Sequence, residues 1–362
     1  MNKLGSTHPV VHYLDGYAGP GVYGDGTPGS PALAAQVGDL VAHIRDVRVT
    51  FVEKERANAE ALASFVESTQ LNASVHHAEL SDVIDKVLDT CQGAPLLAFL
   101  DPFGLAVGFD QLVKVANRKA PTDILVNVSL SALRRNAGHL TTTSSNAQYL
   151  RSSAKIVERM DSALGGDWWR SVWLNAGTDT SRGSALAHGY ANHCLRRMPG
   201  FGYFILPVAD RWDGPPAFFL MLLTRHPDGL WNFNEFMSTA NEKLRQYSLE
   251  NCQLLPELFD PNDRYIEVVR RNILGLLDVY PSFQTWQCVG GLLGEVEGFA
   301  RTTHLRAAIK SLVAEDLARA RDQKGREGGK GDVDSMTITR GPRSSGGAAS
   351  LSSGELVPQA TV

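Results

Sequence analysis

The chain has 362 residues, 43% of them hydrophobic and 20% charged; that is ordinary globular usage for about two domains, and it excludes collagen-like, mucin-like, coiled-coil-array and wholly disordered chains. Its 35 basic and 39 acidic side chains leave a formal net charge of −4, so a generally basic nucleic-acid coat is excluded and any such contact needs a local patch. No run of about 18 apolar residues is present, the first residues lack a signal-peptide core, and Cys91, Cys194, Cys252 and Cys288 are scattered without a C-x-x-C pair. The expectation is a cytoplasmic protein with no membrane span, disulfide framework or zinc ribbon.

The first 130 residues alternate strand and helix. Val10–Leu14 is an apolar strand ending at Asp15, followed by a Gly- and Pro-rich loop to Gly29. Ser30-Pro31 reads as N-cap and first helical residue, since proline's missing N–H is not needed there, and the helix runs to Val41. Strands follow at Val47–Val52, ending at Glu53, at Ala73–His77, at Leu96–Leu100, ending at Asp101, and at Thr122–Val128. Helical segments over Arg56–Thr69, Ser81–Cys91 and Phe109–Arg118 separate them. Solidly apolar strands are buried on both faces, and strands alternating with helices give a parallel doubly wound sheet. The predicted class is therefore α/β.

Residues 131–200 break this rhythm with helices over Ala147–Leu164 and Gly183–Arg197 and the group Trp168, Trp169 and Trp173, read as core of a helical insertion. Strands at Gly202–Val208 and Ala217–Thr224 and a helix over Trp231–Tyr247 close a first domain at about residue 250. Beyond it the spacing predicts helices over Pro261–Asp278, Phe283–Glu297 and Thr302–Arg321, the last capped by Thr302 or Thr303, in a domain ending at 323. The Gly- and Ser-rich segment 324–362 reads as a disordered tail.

Asp15-Gly16-Tyr17-Ala18-Gly19-Pro20-Gly21 lies where the first strand meets a helix, and glycines let backbone approach a ligand closely. Gly19, Gly21 and Gly24 also fit G-x-G-x-x-G, but a dinucleotide site needs the helix to open inside the motif, whereas the capping signal stands nine residues after Gly21. An acid before the glycines suits an ammonium group better than a pyrophosphate, and S-adenosylmethionine carries one. Glu53 is placed to accept from both ribose hydroxyls and, as a strand-end acid, is expected to be exposed and to contribute little to folding. Glu79, after the third strand, is a candidate for the adenine amino group. Gly16, Ala18, Gly19 and Gly21 would form the cradle.

Leu100-Asp101-Pro102-Phe103-Gly104 ends the fourth strand, where ligands of open α/β sheets sit. An aromatic amine is a poor nucleophile because its lone pair is delocalised. The Asp101 carboxylate and a backbone carbonyl can accept its two N–H bonds and align the nitrogen with a methyl donor. Pro102 fixes the turn, and the Phe103 ring is suited to stack on a base. No metal is called for.

Together these residues resemble the class I S-adenosylmethionine-dependent methyltransferases. More narrowly, Tyr13-Leu14-Asp15-Gly16-Tyr17-Ala18-Gly19-Pro20-Gly21, Asp25-Gly26-Thr27-Pro28-Gly29-Ser30-Pro31, Phe51-Val52-Glu53, the Asp101 turn, Thr122-Asp123-Ile124-Leu125 and Arg225-His226-Pro227-Asp228-Gly229 resemble the three-Cys-motif partner protein (TcmP) family. The resemblance implies a bacterial Rossmann-like methyltransferase domain working with a separately encoded three-Cys-motif partner protein, with a winged-helix-like C-terminal domain. In such a module Arg301, His304, Arg306 and Lys310, near the start of the second helix, would contact DNA or RNA. The alternatives are a methyltransferase-shaped binding partner without catalysis and, less well matched, an NAD-linked oxidoreductase.

Overall fold

A computed structural model describes residues 8–102, 104, 107–177, 179–212, 214–251 and 261–342. The first part alternates β1 (Val10–Asp15), α1 (Ser30–Val41), β2 (Asp46–Glu53), α2 (Arg56–Glu67), β3 (Asn72–His77), α3 (Leu80–Thr90), β4 (Leu96–Leu100), α4 (Phe109–Ala116), β5 (Thr122–Ser129) and α5 (Leu130–Ala137). Then come α6 (Ala147–Leu164), α7 (Trp168–Asn175), α8 (Asp179–Arg197), β6 (Gly202–Val208), β7 (Phe218–Thr224) and α9 (Pro227–Asn251).

The sheet order is β3-β2-β1-β4-β5-β7-β6. The first five strands are mutually parallel, and β7 runs antiparallel to β5. The strand order reverses between β1 and β4, so the carboxyl ends of β1, β2, β4 and β5 surround the switch point where such sheets bind ligands. This is a Rossmann-like, doubly wound sheet, with helices α6–α8 inserted after α5. Trp169 and Trp173 are buried in that insertion, as read from the sequence, while Trp168 stacks on His193 at 5.5 Å.

Alternation sorts the strands by face. Leu14, Leu96, Ala98, Leu100, Ile124 and Val126 are wholly or almost wholly buried. The opposite face carries Val11, Val49 and Phe51, packed with Leu62 of α2 and half-buried Tyr13 and Phe65.

By packing the chain divides into two units, one of residues 1–200 with 216–225 and the other of 201–215 with 226–362. The division differs from the expected boundary at 250. Within the second unit, α9 carries Asn234, Ser238 and Asn241 at helical spacing, and all three hold backbone. Asn234 accepts from the Gly298 N–H at 2.7 Å and donates to the Ala300 carbonyl at 2.7 Å. Ser238 and Asn241 donate to the Phe299 and Gly298 carbonyls.

The rest of that unit is α10 (Pro261–Val279), β8 (Ser282–Gln284), α11 (Val289–Leu293), α12 (Thr302–Ala314), β9 (Ala318–Arg321) and β10 (Thr337–Arg340). The last three strands form an antiparallel sheet in the order β8-β10-β9. Four expectations change here. Phe283–Glu297 is not one helix: Phe283 pairs with Ile338 in the sheet, and Gly294 at φ +53 interrupts the helical path after Leu293. The last helix stops at Ala314, because Asp316 turns left-handed at φ 58 and Ala318 enters β9. Its cap is not Thr302 or Thr303; Arg301 is the N-cap residue, with its N–H donated to Nδ1 of His304 at 2.8 Å. The segment after Lys324 is built as far as residue 342, since Ile338 is fully buried and Arg306 donates to the Gly329 and Gly331 carbonyls; local composition carried no sign of these distant partners. The remainder of the expected tail, 343–362, and Cys252 lie outside the described residues.

No helix among the described residues is long and apolar enough to cross a membrane.

Candidate active site at the carboxyl ends of the strands

The loop after β1 is fixed by backbone bonds to its neighbours. The Gly16 N–H donates to the Phe99 carbonyl at 3.0 Å and the Ala18 N–H to the Val52 carbonyl at 3.0 Å. Gly16 admits no larger residue without displacement: a Cβ there would lie 2.8 Å from a Leu100 methyl and 3.0 Å from one of Leu80. Gly19 (φ +65) and Gly21 (φ +86) occupy left-handed backbone that favours glycine.

Glu53 closes the cradle. One carboxylate oxygen accepts the Gly19 N–H at 2.8 Å and the other the Glu55 N–H at 2.7 Å. Its burial, with 8% of the residue exposed, overturns the expectation of a solvated acid, because the loop folds over it. Glu79 stands exposed immediately before α3; burial raises the pKa of the Tyr17 phenol, and the Glu79 charge adds to the rise.

Two features of helix α1 differ from the sequence reading. Its N-cap is Gly29, not Ser30, and no side chain caps it. The nine-residue interval before it is a side excursion: Val22 and Pro28 form an isolated antiparallel bridge, and the Gly29 N–H donates to the Gly21 carbonyl at 2.8 Å. The helix therefore opens beside Gly21, and its late start in sequence no longer argues against a dinucleotide.

Asp15 bears on the choice of ligand instead. This residue is fully buried; one oxygen accepts the Tyr17 N–H at 3.1 Å, and the other, Oδ2, has no hydrogen-bond partner. Burial pushes its pKa up to about 6; the Ser30 side chain and the Tyr17 N–H oppose part of the rise, and the charges of Asp101 and Glu53 add to it. Asp101, half-buried beyond the end of β4, is also raised by burial, and the nearby Asn127 side chain lowers it in part. Pro102 follows in the same half-buried turn. Phe103 lies outside the described residues.

Two residues were missed from sequence. Tyr13 is two positions before Asp15 and so shares its face; burial and the charges of Asp15 and Asp101 hold its phenol firmly protonated. Asn127 is the one polar residue in the run Ile124–Val128, and its Oδ1 is buried without a partner. A polar side chain inside an apolar strand was the available signal. The site thus gathers three carboxylates and an amide oxygen, two of its acceptor atoms unmet. That is an environment for a ligand that donates hydrogen bonds and carries positive charge. Among the described residues, no three His, Cys, Asp or Glu side chains gather as a metal set.

Three of the four residues suggested for base contact in the second unit are engaged elsewhere. Nε of Arg301 donates to Ser238 at 3.0 Å, His304 is buried against Asn262 at 2.7 Å, and Arg306 holds backbone; Lys310 is exposed.

No protein-family profile matches the chain, and no curated protein matches it. Solved structures give loose likenesses. The plantazolicin methyltransferase BamL, solved with a desmethylPZN analog and SAH, is 9% identical with a TM-score of 0.31, covering 61% of this chain and 80% of its own. A Legionella pneumophila protein is 10% identical with a TM-score of 0.37, covering 68% and 86%. The cyclopropane synthase MmaA2 from Mycobacterium tuberculosis is 12% identical with a TM-score of 0.26, covering 61% and 80%.

Proposed function

We propose that this chain is an S-adenosylmethionine-dependent methyltransferase acting on the amino nitrogen of a nucleobase, together with a separately encoded three-Cys-motif partner protein. The observation that carries the reading is Asp15, a buried acid with one oxygen unpartnered at the switch point. Such a group is costly unless a ligand supplies a charged donor. An ammonium group does so, whereas a pyrophosphate would meet like charge.

Glu53 retains acceptor capacity, since each carboxylate oxygen has two lone pairs, and it is suited to both ribose hydroxyls while still holding Gly19. Glu79 is assigned to the adenine end. Bound in this cradle, S-adenosylmethionine supplies an electrophilic methyl group. Asp101 accepts an N–H of the substrate amine and takes up its proton; burial raises its basicity toward that task. Pro102 holds the turn and Phe103 is assigned to the base.

The partner is inferred from the N-terminal motifs. The order α10, β8, α11, α12, β9, β10 supports a winged-helix-like module, although with Arg301, His304 and Arg306 engaged internally, nucleic-acid contact would fall to other groups.

Calorimetry with S-adenosylmethionine and NAD, then tritiated-methyl transfer to DNA, tRNA, rRNA and partner protein, tests the proposal. Asp101→Ala is expected to leave cofactor affinity near the parent value and to lower the transfer rate by about 10²–10⁴, the scale of a positioned acid–base group. Absence of S-adenosylmethionine binding at millimolar concentration refutes the enzyme reading, and label in protein alone refutes the nucleobase.

A further inference from the structure

Asn127 offers an acceptor that the proposed mechanism leaves unused. It follows Val126, which pairs with Leu100, so it stands level with Asp101 on the neighbouring strand. Asp101 as a carboxylate is acceptor-only, and the Asn127 side chain lies near enough to lower its pKa, so the amide NH₂ is the group suited to face it. Its Oδ1 is buried and unpartnered. The strand on the other side offers nothing in return, because Asn127 faces Leu220 of β7. A buried amide oxygen without a donor is uncommon in a completed structure.

We infer that Oδ1 of Asn127, in place of the backbone carbonyl expected from the sequence, accepts the second N–H of the substrate amine, so that Asp101 and Asn127 together select a primary amine. This rests on the amine-methyltransferase reading and makes it narrower. Adjacent strands lie about 4.8 Å apart. An NH₂ group donating two bonds of about 2.9 Å at the trigonal angle needs acceptors about 5 Å apart, a span of the same size as the spacing of neighbouring strands. An N-methyl amine has one N–H and leaves one acceptor unmet; a dimethyl amine leaves both. The consequence is a preference for the unmethylated amine and a monomethylated product.

The test is binding in the presence of SAH, where no turnover occurs. The probes are single-stranded oligonucleotides carrying adenine, cytosine or guanine with zero, one or two methyl groups on the exocyclic nitrogen. In one series the parent is expected to bind the NH₂ form about tenfold more tightly than the N-methyl form, the worth of one hydrogen bond to a buried acceptor. Asn127→Leu should abolish that tenfold step while SAH affinity is retained, which also shows the variant to be folded. Asn127→Gln, which keeps a carbonyl oxygen, should restore part of it. An unchanged step in Asn127→Leu with SAH still bound overturns the assignment and leaves the enzyme reading standing. A parent that binds SAH but none of the probes, and transfers methyl to none of the three bases, overturns the nucleobase reading and this inference with it.

Discussion

Replacing Asp15 by asparagine separates what the fold needs from what the ligand needs. In the ligand-free protein the Asp15 carboxyl titrates at about 6 instead of the ordinary 3.8. The raised value means that the fold favours the protonated form. The stability this contributes is fully present below pH 3.8 and is lost as pH rises through 6. Each tenfold change in proton affinity is about 1.4 kcal/mol, so the charged form costs the fold about 3 kcal/mol at neutral pH. Asparagine keeps an oxygen for the Tyr17 N–H and removes the charge. After allowance for its own unpaired NH₂, Asp15→Asn should be more stable than the parent by about 1–3 kcal/mol at pH 8, or roughly 3–10 °C in melting temperature for a unit of this size. At pH 4 the two proteins should melt nearly together. Cofactor affinity should move the opposite way. The variant should bind S-adenosylmethionine at least tenfold more weakly at pH 8, and the parent's own affinity should weaken as pH falls through 6 and the carboxylate is protonated. Thermal melts from pH 4 to 8 and calorimetry over the same range make the measurement. Melting curves that stay parallel across the range would refute the account of Asp15 as a buried acid awaiting a cation.

Other outcomes are expected from the same geometry. Glu53→Ala removes the acceptor for two backbone N–H groups, so the ligand-free melting temperature should fall, by about 1.5–3 kcal/mol in stability, along with cofactor affinity; an unchanged melt would mean that the loop does not close on Glu53. Asn234→Ala leaves the Gly298 N–H and the Ala300 carbonyl unpaired in a fully buried place and should cost about 2–4 kcal/mol. Hydrogen exchange at Gly298 should accelerate in that variant while amides of β1 and β4 keep their protection, and uniform acceleration would contradict the local role.

The α/β class was legible because β4 and β5 are apolar without alternation and their ends carry Asp101, Ser129 and turn residues. Helix bounds such as Ala147–Leu164 were equally legible, since both an Asn cap and a terminal glycine stand in the sequence. Asp15, the glycines and Glu53 could be placed at the carboxyl ends of strands because a chain of strands and crossover helices has few other ways to run. Their states could not be read. Glu53 is an exposed acid by pattern and a buried one by structure, because a loop 34 residues away in sequence folds over it.

Sequence alone therefore determined which residues stand at the switch point and that they are mostly acids, since strand ends and turn chemistry are local properties. Tertiary structure decided which of those acids are already satisfied. It brought Asn127 beside Asp101, folded the 22–28 segment aside so that α1 opens next to Gly21, and recruited Thr337–Arg340 into a sheet with Ser282–Gln284. Each of these depends on hydrogen bonds or contacts between segments distant along the chain, and neither periodicity nor composition records such partners.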